Sequence, residues 1–234
     1  ATSDGHLNNT TSPVEVKTAS RWTDLVAAET IETEIKRLAI LINSDVTTPG
    51  LFKSGGHRKC RQHFSTLAVL FAIVGQYDGE VRWKQPAPAF RDLCARAGYN
   101  CKAGTDQSFR EVTQRKQDLT DLIRGARPEV PKAEPQTDWS QVADRPPLMR
   151  RMELAHQGRL TKWLASRDEF SRNRLAIRHE AQLLAVLGEI IRQEGFDYWD
   201  DETYNHFALE LSQAAKDLSA AVDNTNYASA RDAG

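Results

Sequence analysis

The sequence predicts an all-α protein, an antiparallel helical bundle of about four long helices with additional short helices. Apolar residues recur at intervals of three and four through most of the 234 residues, as helices with one buried face require. Most of the periodic stretches are separated by short Gly- or Pro-bearing breaks, and short connections favour antiparallel neighbours. Few strands are needed, the one extended candidate being Glu80–Trp83, and there is no internal repeat or low-complexity tract.

Residues 1–20 lack periodicity and are expected to form a flexible arm. Over 22–45, Leu25, Ala28, Ile31, Ile35, Leu38 and Ile42 form one stripe, with Glu29, Glu32, Glu34, Lys36 and Arg37 assigned to solvent. Thr47 to Gly50 stop this helix. The next helix runs from Gly56 or His57 to about Gln76. Phe64, Leu67, Leu70, Phe71 and Val74 face the core, and Val69, Ala72 and Ile73 widen that face, which predicts a central helix contacted on several sides. Asp78-Gly79 is a turn, and Pro88 suits the first turn of a short helix through Ala97.

Helix resumes over 108–124 along Phe109, Val112, Lys116, Leu119 and Ile123, and Gly125 ends it. The proline-rich connection 126–147 is the longest break, with Trp139 pinning it to the body. Three further helices are expected, over 148–164, 171–192 and 201–222. The last would bury Tyr204, Phe207, Leu211, Ala214, Leu218 and Ala221. The organisation is therefore one helical domain over 21–222, followed by a flexible polar tail at 223–234.

Composition narrows the function. With 31 Lys and Arg against 32 Asp and Glu, the formal charge of -1 gives no global attraction to a polyanion, so nucleic acid is not an expected partner. No apolar run approaches the length of a membrane span. The polar start without Met reads as a mature end left after removal of a targeting segment, so a periplasmic or otherwise extracytoplasmic setting is expected. Cys94 and Cys101 could then pair across a short loop, leaving Cys60 odd.

The chemistry-bearing residues cluster around Cys60. His57, Cys60 and His63 are spaced by three, so the thiol can share a helix face with either imidazole, and thiolate with imidazole suits zinc, copper or heme iron. Across all six positions the direction drifts by roughly 120 degrees, which makes capture of one metal by all three demanding. A buried Cys60 with partly exposed histidines is the plainer alternative. Met152 and His156, four apart, and His179 on the following helix are further candidate heme ligands, although such residues on apolar stripes also serve as core.

The C-x-x-C-H motif is absent, so Cys60 would permit only a single thioether, and the common nucleotide, metallopeptidase and hydrolase motifs are absent too. Arg82 and Trp83 offer charge beside an aromatic face, and Arg58 with Arg61 offers charge at a helix start. Both pairs are candidate partner-binding positions that could equally be a local strut and a solvated first turn.

Three runs carry a resemblance. Phe52 to Ser65 continues through Leu67 to Phe71, Tyr77 to Lys84 follows, and looser likeness extends through Arg115 to Leu119 and Leu122 to Gly125. They resemble exported helical proteins of planctomycete-type bacteria, some carrying a generic cytochrome label. That resemblance implies an extracytoplasmic bacterial setting and favours heme.

Two classes follow. The first is a heme-binding, electron-transfer protein with unusual single-cysteine attachment through Cys60 and axial ligands among His63, His156, His179 and Met152. It would not be an enzyme, and a redox protein partner and homo-oligomerisation are compatible with it. Its rival is a cofactor-free helical protein-interaction or ligand-binding module using the Gly55-Gly56 entrance and Arg82-Trp83. A zinc or copper binding protein using His57, Cys60 and His63 is the third reading.

Overall fold

The computed structural model describes residues 21–234, so the arm expected at 1–20 lies outside the described residues. Among those residues the fold is sheet-free, with eight helices of seven or more residues: α1 Ala28–Asp45, α2 His57–Gln76, α3 Ala87–Asn100, α4 Asp106–Ile123, α5 Arg145–Ala155, α6 Arg167–Ile190, α7 Glu202–Asp223 and α8 Tyr227–Ala233. The expectation of about four long helices is corrected accordingly. The helix expected over 148–164 is divided by a wide turn at His156–Leu160, while the short helix expected at 88–97 extends over fourteen residues.

The local chemistry of the boundaries is direct. Thr105 Oγ1 accepts from the Ser108 amide and the Ser108 hydroxyl oxygen accepts from the Thr105 amide, a reciprocal cap on α4. Ser166 and Asp201 cap α6 and α7 in the same sense, by accepting from the amides of Glu169 and Tyr204. The stretch expected as a polar tail contains α8. Asn226 caps it, Ala230 is fully buried, and the Tyr227 hydroxyl donates to Leu164 O at 3.1 Å.

Helix α2 is central, as its broad apolar face requires: it contacts α1, α3, α4 and α5. Every residue from Phe64 to Val74 is buried. The most extensively packed helix pairs are α2 with α3 and α6 with α7. Each depends on a glycine. A Cβ on Gly98 would lie 3.2 Å from the backbone nitrogen of Ser65, and one on Gly188 would lie 3.0 Å from Ala208 O and 3.1 Å from the Ser212 nitrogen.

This approach explains a second departure. Helix α7 turns Ala208, Ser212 and Ala215 inward, and the Ser212 hydroxyl donates to Ala185 O at 2.8 Å, whereas Phe207 is 63% exposed. Small side chains are selected because the two backbones nearly touch. Leu175 of α6 is likewise exposed.

The cysteines are free thiols, and all three are buried. Cys94 lies inside α3 and Cys101 is its C-cap, so seven residues of helix separate them by about 10 Å along the axis. That exceeds the reach of a disulfide, so the pairing left open by the sequence does not form.

Gly188→Ala is expected to destabilise the fold by about 1–3 kcal/mol, because the added methyl meets backbone atoms that cannot rotate away. Gly75→Ala, where a Cβ finds only ordinary contacts at 3.9 Å, should instead stabilise by about 0.5–1 kcal/mol through helix propensity. Urea unfolding of the two variants checks the opposite signs.

Candidate functional groove and buried charge network

Two turns and a strap build a groove beside α3. After α2, the chain reverses through Asp78, whose carboxylate accepts from the Thr23 amide and hydroxyl at 3.2 and 2.7 Å. Trp83 follows in the left-handed backbone region at φ 64, uncommon for a large residue and worth about 1–2 kcal/mol of strain. Its ring is flanked by cations: the Arg82 guanidinium carbon is 4.8 Å and the Lys36 Nζ 5.9 Å from the ring centroid. At the far side, α4 ends at Gly125 with φ 89, and the strap leaves in a new direction.

The strap is fixed at its distal end by a buried arginine. Arg91 of α3 donates to Glu134 O at 2.9 Å, to Gln136 O at 3.0 Å and to the Thr137 hydroxyl at 3.2 Å. Trp139 then packs on Trp22, with ring centroids 5.9 Å apart. Between Gly125 and this clamp the strap encloses a groove of about 810 Å³, lined by Arg82, Trp83, Pro86, Pro88, Leu122 and residues 125–135. That size and a mixed apolar and charged lining are characteristic of small-molecule sites.

A separate feature holds the bundle together. The Arg151 side chain, 2% exposed, lies between Glu34 and Glu180, with Nη2 3.3 Å from Glu34 Oε1 and Nη1 2.8 Å from Glu180 Oε2. Glu34 also accepts from Arg37 Nε and Nη2 at 2.7 and 2.6 Å and lies 3.0 Å from His179 Nε2, while Glu180 also pairs with Arg159. Burial opposes the Glu34 charge, but the hydrogen bonds from His179 and Arg37 and the field of Arg151 outweigh it and hold the carboxyl well below the usual range. Glu34 was assigned to solvent from sequence. It lies at the three-and-four spacing of Ile31, Ile35 and Leu38, a signal that it shares their face.

The other predicted residues are dispersed. Cys60 is fully buried, and burial pushes its thiol well above the ordinary range; Cys101 is pushed up to about 12 by the same cause. The His57 Nδ1 lies 3.1 Å from Phe52 O, and the His63 Nε2 lies 3.2 Å from Asp45 Oδ2, so the two imidazoles turn to different partners. Met152 is core, His156 is exposed on the wide turn, and His179 is engaged by Glu34.

The residues considered for heme are therefore engaged separately, Cys60 and Met152 in the core and His63 and His179 with carboxylates on different segments. Among the described residues no group of three or more His, Cys, Asp or Glu side chains is arranged to hold a metal. Arg82 and Trp83 do share a site, the groove, and Arg58 and Arg61 share a different recess. The Arg91 clamp escaped sequence reasoning because its acceptors are mostly backbone carbonyls.

No family model, curated protein or solved structure matches the chain. The class it defines is an all-helical bundle with a strap-covered groove, and among the described residues no helix is long and apolar enough to cross a membrane.

The sign of the pH dependence follows from two depressed groups. Burial lowers the His63 pKa despite Asp45, so stability is full above the ordinary histidine value of about 6.5 and falls as pH drops below it. The depressed Glu34 adds a further loss below the ordinary glutamate value of about 4.3. Urea midpoints against pH should show both steps. Glu34→Gln should destabilise by about 3–5 kcal/mol at neutral pH, because Arg151 is left buried with one partner fewer, and should flatten the lower step.

Proposed function

We propose that this protein is a cofactor-free helical ligand-binding module whose ligand lies in the groove between Trp83 and the proline-rich strap. The observation that carries the reading is that Arg82 and Trp83, an aromatic face with a cation stacked on it, line a groove of about 810 Å³. Pro86, Pro88, Leu122 and Val130 supply apolar walls, and burial of an apolar ligand surface provides the main driving force. Three cations, Arg82, Arg127 and Lys132, line it against two carboxylates, Glu129 and Glu134. That balance suits a ligand with a flat apolar body and one acidic group.

Pre-organisation supports the same reading. The strained Trp83 backbone and the Arg91 clamp fix opposite sides of the groove before any ligand arrives, which lowers the ordering cost of binding.

Titration with 1-anilinonaphthalene-8-sulfonate, an aromatic probe with one acidic group, tests the proposal. Saturable one-to-one binding is expected. Trp83→Gly removes the ring while accepting the positive φ without strain, and should weaken binding about tenfold or more, the loss of one aromatic contact worth about 1–2 kcal/mol. Arg82→Ala should weaken it less and remove part of the salt dependence. Unsaturable binding, or equal affinity in a folded Trp83→Gly variant, would overturn the assignment.

A further inference from the structure

A second recess, sharing no lining residue with the groove, has the opposite character. It has a volume of about 310 Å³ and lies where the start of α2, the end of α3 and the start of α5 meet. His57, Arg58 and Arg61 enter from α2, Lys102 follows α3, and Arg150 comes from α5. On a chain with a formal charge of -1, four permanent cations meet around one small cavity.

The local neutralisation is incomplete. Asp144, next to the recess, is the carboxylate shared by Arg61 Nη2 at 2.8 Å and Lys102 Nζ at 2.9 Å. Arg58 and Arg150 are exposed and make no ion pair among the described residues. Counting these four cations against Asp144 leaves an excess of three positive charges. The Arg61 Nε is enclosed and has no hydrogen-bond acceptor, and an unpaired buried donor of this kind favours an incoming acceptor.

The remaining geometry defines the ligand class. The His57 Nδ1 donates to Phe52 O, which leaves Nε2 without a protein partner among the described residues, and Nε2 donates to an oxyanion only as the imidazolium. Pro146 and Pro147 line the wall at the first turn of α5. They carry no N–H, so the two residues that line the wall offer an anion no backbone donor, and recognition falls to the side chains. Planar guanidinium forks match tetrahedral oxyanions by paired hydrogen bonds, and an excess of three charges suits a dianion better than a single carboxylate.

We propose that the recess formed by His57, Arg58, Arg61, Lys102 and Arg150 is a binding site for a phosphate dianion, free or as a small phosphate monoester. Asp144 is its built-in competitor: it holds Arg61 and Lys102 in place and also neutralises part of the field a phosphate would feel. The two roles give the site a signature that a merely basic surface lacks.

Calorimetric titration of the full chain with inorganic phosphate, and separately with phenyl phosphate, tests this. Saturable one-to-one binding is expected for at least one probe. Phenyl phosphate binding that is tighter, and that the recess variant below weakens while Trp83→Gly does not, would make the ligand a monoester, and equal or tighter inorganic phosphate would make it the free ion. The double variant Arg58→Ala, Arg150→Ala alters only exposed, unpaired side chains and should fold, with affinity reduced about tenfold or more. Asp144→Asn should raise affinity severalfold, a gain that a purely structural role would not produce. Absence of saturable heat with either probe up to about 10 mM, or unchanged affinity in the folded double variant, would overturn the site.

Discussion

A guanidinium enclosed between two carboxylates is the contact that joins the distant parts of this bundle. Arg151 belongs to α5, Glu34 to α1 and Glu180 to α6, so one ionic chain ties three helices that are far apart in sequence. Apolar contact alone is non-directional and would tolerate sliding of these helices. A buried ion pair does not tolerate it, because displacement by a single helical turn strands a charge in a low-dielectric interior. Arg37, His179 and Arg159 extend the pairing toward the surface, which makes the network a graded exit for charge from the core.

Around that anchor, helix α2 is buried at every residue from Phe64 to Val74, and two glycines permit close backbone approaches between helices. Gly98 brings α3 against α2, and Gly188 brings α7 against α6. The groove and the cationic recess are consequences of what this close packing leaves unfilled. The strap crosses α3 because Arg91 satisfies its carbonyls from within the body. The recess opens where α2, α3 and α5 diverge at their ends. One site is apolar and flanked by charge; the other is cationic with a single carboxylate beside it.

Much of the architecture was legible in the sequence. The all-helical class, the central role of α2 and the stripe Ile31, Ile35, Leu38 and Ile42 all followed from periodicity. The Arg82-Trp83 step was visible as charge beside an aromatic face, but its place beside the strap was not, since residues 83 and 125–135 meet only through folding. The cysteine and histidine spacing has the same limit. Spacing on one helix says which residues can share a face, but not that Cys60 turns into the core while His57 and His63 find partners on other segments.

The sequence by itself determined the local facts: where helices start and stop, which caps hold them, and the absence of a global attraction to polyanions. These depend on neighbours within a few residues or on composition. Only the tertiary structure decided which face of each helix is buried and which charges are paired. On α7 the large Phe207 points outward and Ala208 and Ser212 point inward because the separation from α6 is set by Gly188, a residue twenty positions away. Glu34 is buried because Arg151 meets it there. Both outcomes follow from distances between helices, and such distances are a property of the packed chain that no local pattern encodes.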